Sequence, residues 1–149
     1  IRDMTADAVR LSIDISGRVM MPYQPHIFGT PHRGSEGASG VANIFRVKTS
    51  RGLSFGSSRV TVPVAGVYLI TYQTIIQNST GRYDTQVNVN GSTVSNGLNE
   101  DNGTGYHQRT HVFTMYLNAN DYIEWSSARY YSTGSQFDEW ANASVTLLG

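Results

Sequence analysis

The hydrophobic pattern along this chain has a period of two nearly throughout, and the 3.6-residue period of an amphipathic helix is almost missing. The one helical candidate, residues 4–11, is short and runs at once into Ser12-Ile13-Asp14-Ile15, which alternates. Valines 60, 62 and 64 alternate as well, and Pro63 puts that run on a sheet edge or at a strand end. Residues 67–76 are β-branched and aromatic, with no polar face until Thr71. Such a run predicts a strand buried on both sides, by the core and by something else.

Turn chemistry separates the remaining runs. Residues 83–90 place Val87 and Val89 on one face and end in Asn90-Gly91, which supplies the positive φ angles of a type I′ hairpin. Ser92-Thr93-Val94 is the expected return strand, and the composition of residues 95–105 predicts an exposed loop. Residues 106–117 form a long strand with His107, Arg109, His111, Phe113, Met115 and Leu117 on one face. Val112, Thr114 and Tyr116 occupy the other. Asn118-Ala119-Asn120-Asp121 turns the chain into a strand over 122–125, residues 126–139 read as a polar and aromatic loop, and 140–148 close the chain as a last strand. The glycine-rich segment 29–43 reads as a long loop or insertion. Many short strands with regular turn signals predict an all-β antiparallel sandwich. Residues 1–18 read as a connector to a preceding segment and 19–149 as the head domain.

The 149 residues suit one domain that buries its core without staples, and there is no cysteine for a disulfide or thiolate metal site. Eleven basic and eleven acidic residues balance, so no basic excess points to nucleic acid. A near-neutral chain also lacks the usual solubility margin, which suggests that neighbours cover apolar surface. No apolar stretch is long enough to span a membrane as a helix.

Pro63-Val64-Ala65-Gly66-Val67-Tyr68-Leu69-Ile70-Thr71-Tyr72 resembles a motif of the complement q-component globular heads and, more distantly, of the tumour necrosis factors. Gly66, Tyr68 and Tyr72 match its Gly-x-Tyr-x-Phe-x-aromatic pattern; Ile70 stands where phenylalanine is usual, and Val60 replaces an upstream phenylalanine. Asn88-Val89-Asn90-Gly91 is similar to the family hairpin, and Leu117-Asn118-Ala119-Asn120-Asp121-Tyr122-Ile123 to its Leu-x-x-Gly-Asp-x-Val turn, with Asn120 in place of glycine. Phe137-Asp138-Glu139-Trp140 only loosely echoes the closing Phe-Ser-Gly-Phe. The resemblance spans roughly residues 21–149 and implies a ten-stranded, two-sheet jelly roll that assembles as a homotrimer. It places Val67, Leu69 and Thr71 at the trimer interface and Tyr68, Ile70 and Tyr72 in the core. A threefold axis would also gather three copies of one histidine; otherwise His111 reads as a partly buried or interface histidine, and it stands as an interface candidate. Upstream, Ser16-Gly17-Arg18-Val19-Met20-Met21-Pro22-Tyr23-Gln24-Pro25 resembles the lead-in before such heads in bacteriophage tail-fibre and other virion proteins.

Candidate chemistry is sparse. Gly52-Leu53-Ser54-Phe55-Gly56 matches Gly-x-Ser-x-Gly, but a nucleophile elbow needs a strand before it and a helix after it, and another strand pattern follows. His107 and His111 would chelate zinc on a helix, whereas on a strand they stand ~13 Å apart. His26 and His32 have no carboxylate framework around them. Glu100-Asp101-Asn102 and Asp138-Glu139 lack the ligand spacing of a calcium loop and read as solvated acids. The Asn-x-Ser/Thr sequons at 78, 90, 102 and 142 arise by chance in a chain this rich in Asn, Ser and Thr. Arg129-Tyr130-Tyr131 is the one aromatic cluster in a predicted loop, with Trp125 and Trp140 on either side as core plugs. Flat aromatic faces beside charged groups suit a sugar or protein partner, and the two tyrosines equally suit a subunit interface.

These readings assign no catalytic residue, metal or cofactor. They describe a non-enzymatic virion surface head, of a tail fibre or knob, whose partners are copies of itself, other virion proteins, and a host-surface receptor or glycan. A purely structural capsid or fibre cement, and a secreted cellular ligand or lectin-like head of the same fold, are the alternatives. A glycan hydrolase has no positive support, since no carboxylate pair can be placed at the required separation.

Overall fold

Alternation along the chain forces each strand to choose an inner and an outer face, and the computed structural model resolves that choice. It describes residues 2–3, 8–9, 11–21, 24–32, 40–42, 44–77, 80–102, 106–130, 135–136 and 141–149. The strands are β1 (Arg2–Asp3), β2 (Ala8–Val9), β3 (Ser12–Ile13), β4 (Val19–Met20), β5 (His26–His32), β6 (Gly40–Val41), β7 (Ile44–Arg51) and β8 (Phe55–Gly56). They continue with β9 (Arg59–Thr61), β10 (Gly66–Gln77), β11 (Thr80–Val89), β12 (Ser92–Asn102), β13 (Tyr106–Leu117), β14 (Tyr122–Tyr130), β15 (Ser135–Gln136) and β16 (Asn142–Leu147).

Two six-stranded antiparallel sheets form the sandwich. The first runs β13-β10-β16-β5-β7, with β15 also beside β10; the second runs β12-β11-β14-β9-β8, with β6 beside β14. Consecutive strands β10 and β11 lie in different sheets, whereas β10 pairs with the sequence-distant β13 and β16. This all-β, two-sheet jelly roll is the predicted fold class.

Inward positions fill the space between the sheets. Tyr68, Ile70 and Tyr72 of β10 are buried against Val60, Val62, Val87, Leu117, Ile123, Trp125 and Val145. Trp125 is fully buried and stacks on Phe45 at 5.2 Å, so it does plug the sandwich. Tyr68 keeps its ring in the core and donates its hydroxyl to the Val64 carbonyl at 2.8 Å. Val60 and Val62 are buried while Val64 is exposed, because β9 ends at Thr61 and the chain bends at Pro63.

Several expectations change. Within 4–11, Ala8–Val9 is a strand paired with Arg2–Asp3, not part of a helix, and residues 4–7 and 10 lie outside the described residues. The loop predicted over 95–105 is strand as far as Asn102, because β12 pairs with β11 from Ser92 onward. Likewise β14 continues past Trp125 to Tyr130, held by its ladder with Arg82–Val89 of β11. Part of the predicted insertion 29–43 belongs to β5, where Gly29 packs so tightly on the Phe45 ring that a Cβ would stand 2.5 Å from it.

The two predicted turns meet at one end of the sandwich. Asn90 and Gly91 take φ of 51° and 78°, as a type I′ hairpin needs, and Asn120 sits at 74° where the related motif has glycine. Asn90 Nδ2 donates to Asp121 Oδ1 at 2.8 Å, and the Tyr122 amide donates to Asn90 Oδ1 at 3.0 Å. Asp121 Oδ2 accepts from the Asn118 amide at 2.7 Å. These bonds hold the Asp121 carboxyl below the usual carboxylate range, so the clamp is intact at neutral pH and weakens as pH falls through that lowered value.

Gly66 tests the packing directly. A Cβ there would lie 2.6 Å from Leu147 Cδ1 and 2.8 Å from the Gly149 carbonyl oxygen, while one at Gly56 would meet nothing within 4 Å. Gly66→Ala is therefore expected to lower stability by ~1–3 kcal/mol in urea titrations, with Gly56→Ala close to wild type.

Candidate interaction surface

Pairing register fixes which side chains share the outer face of the first sheet. Val67 stands opposite Tyr116, Leu69 opposite Thr114 and Thr71 opposite Val112. Val112 and Tyr116 are 63% and 61% exposed, and Val67 is 39% exposed. Leu69 and Thr71 are half-buried, and Thr71 Oγ1 shares a hydrogen bond of 2.7 Å with Ser144 Oγ of β16. An apolar strip therefore crosses β10 and β13, and among the described residues nothing covers it. Among the described residues, the run that predicts burial on both sides is buried on its inner side and half-buried or exposed on its outer side.

His111 does not belong to that strip. It pairs with Tyr72, so it points inward, where it is 6% exposed and stacks on the Tyr72 ring at 5.9 Å. The expectation that groups it with Val67, Leu69 and Thr71 fails on strand parity. Its ring spans the gap between the sheets instead: Nε2 lies 2.8 Å from Thr85 Oγ1 of β11 and Nδ1 lies 2.8 Å from Ser95 Oγ of β12. A neutral imidazole donates through one nitrogen and accepts through the other, and both hydroxyls can turn to suit. Gly97 leaves room for the ring, since a Cβ there would stand 3.0 Å from Nε2. Thr85, Ser95 and Gly97 carry no motif; only the register of β11, β12 and β13 brings them to the histidine.

The other candidates separate. Arg129 and Tyr130 are strand positions on β14, opposite Tyr83 and Arg82, rather than loop residues. Their side chains, and all of Tyr131, lie outside the described residues, as do the His32 and His107 side chains, Trp140 and the acids at 138–139. Gly52-Leu53-Ser54-Phe55-Gly56 leads into a hairpin whose Ser57 and Ser58 have φ of 51° and 66°, so no helix follows Ser54 as an elbow requires. Among the described residues, no three histidine, aspartate or glutamate side chains converge as metal ligands. His26 lies on the outer face of β5 with Nδ1 3.3 Å from the Gln24 carbonyl oxygen.

Burial holds the His111 pKa below its ordinary value of 6.5, since the charged ring would lose its hydration. The unfolded chain then takes up a proton near pH 6.5 while the folded chain resists. Stability is thus full above that value and declines as pH falls toward the lowered one. Thermal melts between pH 7.5 and 5 should show this decline, and His111→Gln should flatten it.

No protein-family model matches the sequence, and comparison with functionally described proteins gives no match. Solved structures do match. A crystal structure of murine APRIL at pH 5.0 superposes with a TM-score of 0.67 at 17% identity, covering 84% of this chain and 99% of that one. Eiger TNF from S. frugiperda superposes with a TM-score of 0.69 at 11% identity, covering 85% and 93%. At such identities the likeness establishes a shared tumour-necrosis-factor-like jelly-roll fold.

Proposed function

We propose that this chain is a non-enzymatic head that assembles as a homotrimer and acts by binding a partner. The apolar strip of Val67, Leu69, Val112 and Tyr116 on the outer face of the first sheet supports this reading. A second copy that covers the strip removes it from water, and burying apolar area contributes ~25 cal/mol per Å². Thr71 belongs to the same face. His111 acts behind it, as a tie between the sheets.

Two settings fit such a head. The lead-in at residues 16–25 favours a virion surface, with other virion proteins and a host receptor or glycan as partners and the 129–131 segment as a contact. The likeness in fold to APRIL and Eiger TNF favours a secreted extracellular ligand at least as well. In both, a weak single-site affinity is multiplied by three linked copies.

Light scattering after gel filtration should give a mass near three subunits. Val112→Asp combined with Val67→Asp should give one folded subunit, because the charges would be buried unpaired. A monomeric wild-type chain would sink the assembly reading. Retention on bacterial cells or their polysaccharide, against retention on animal cells, would then choose between the two settings.

A further inference from the structure

The second sheet turns its outer face away from the apolar strip, so assembly through the first sheet does not cover that face. Val87, Val89, Ile123 and Trp125 point into the core, and strand parity turns Gln86, Asn88, Glu124 and Ser126 outward. Two cross-strand rows result. One runs Asn96, Gln86, Ser126 across β12, β11 and β14, and the next runs Thr93, Asn88, Glu124. The rows lie ~7 Å apart and each spans ~10 Å, about the area of one hexose ring.

Hydrogen bonds join the two rows in a single direction. The Thr93 hydroxyl donates to Asn88 Oδ1 at 2.9 Å, Asn88 Nδ2 donates to Ser126 Oγ at 3.1 Å, and the Ser126 hydroxyl donates to Gln86 Oε1 at 3.3 Å. Each donor in such a chain polarises the next, and this one ends on Gln86 Nε2. That nitrogen carries two N–H groups, and among the described residues neither has an acceptor. Ser126 is 7% exposed, so the middle of the chain is fixed. Asn96, exposed, stands directly opposite Gln86.

A sheet face that meets only water has no need of this arrangement. Asparagine is depleted in strands, and bonds between exposed amides and hydroxyls contribute little in water. Yet Gln86 and Asn88 hold outward positions on β11, which is paired on both flanks. What the arrangement provides is a set of oriented donors and acceptors whose freedom is lost before a ligand arrives. Glu124 is the one charged side chain of the two rows, and the Arg59 guanidinium, 4.4 Å over the neighbouring Tyr122 ring, offsets it. Donors and acceptors side by side without net charge suit hydroxyl groups, each of which both donates and accepts.

We propose that this face binds a neutral hexose unit of a glycan. Gln86 Nε2 donates to one ring hydroxyl, Asn96 and Thr93 meet its neighbours, and Glu124 accepts from another. The proposal rests on the reading of the chain as a partner-binding head, and it names the partner's chemistry and the face that meets it.

The test is a titration of the full chain with glucose, galactose and mannose in turn, followed by amide chemical shifts, with glucuronate in parallel. At least one neutral sugar should give saturable shifts centred on Gln86, Asn88, Thr93 and Asn96. Glucuronate should bind about tenfold more weakly, because its carboxylate meets Glu124. Gln86→Glu and Gln86→Met, which both remove the donor, should each weaken the neutral sugar about tenfold, and Thr49→Ala on the other sheet should leave it unchanged. The proposal is overturned by the absence of saturable shifts at those residues with all three sugars, by equal binding of glucuronate, by wild-type binding in both Gln86 variants, or by an equal loss in Thr49→Ala. Light scattering reads assembly separately. A monomer that binds sinks the trimer and leaves this face standing, and a trimer that binds no sugar sinks this face alone.

Discussion

The constraint on which the rest depends is strand parity in β10. Tyr68, Ile70 and Tyr72 enter the core, and the same backbone turns Val67, Leu69 and Thr71 outward. Because β10 lies between β13 and β16, its register sets theirs, and theirs sets the position of β5 and β7. Packing the aromatic inner face thus builds the outer face as a by-product. That face then divides into an apolar half over β10 and β13 and a mixed half over β16, β5 and β7, where Thr146, His26 and Arg51 share a row and Lys48 lies over Phe28. One alternating strand thus sets both the core and the outer face of this sheet.

Features written in local chemistry were legible. Asn90-Gly91 specified its turn because few residues accept two consecutive positive φ angles, and the fully apolar 67–76 run specified a central strand. The polar tract 95–102 was not legible. As β12 it is, among the described residues, an edge strand paired with β11 alone, so ladder hydrogen bonds rather than alternating apolar side chains hold it. The tail of β14 was hidden for a similar reason, since its extension depends on β11.

Sites were harder to read than strands, and for a different reason. Parity states which residues of one strand share a face; it does not say which strand lies alongside. Gln24 reaches the Leu147 carbonyl across 123 positions of sequence, and His26 meets Arg51 and Thr146 only through the order β16-β5-β7. Taken alone, His26 was a histidine without partners. His111 was the opposite case: its strand face was read correctly, but the interface role expected of it required the other face.

The His111 bridge also bears on how the sandwich breathes. β12 and β13 are the end strands of their sheet paths, and between them a histidine and two hydroxyls join the layers, beside the apolar packing of Phe113 and Met115 on β13. Directional bonds fail together once their geometry is lost, whereas an apolar contact slides and persists. Parting the layers at this margin therefore breaks the histidine bridge in addition to sliding apolar contacts. β10, bonded to β13 and β16 on its two flanks, is expected to hold its amides from solvent longer than β12 at the end of its sheet.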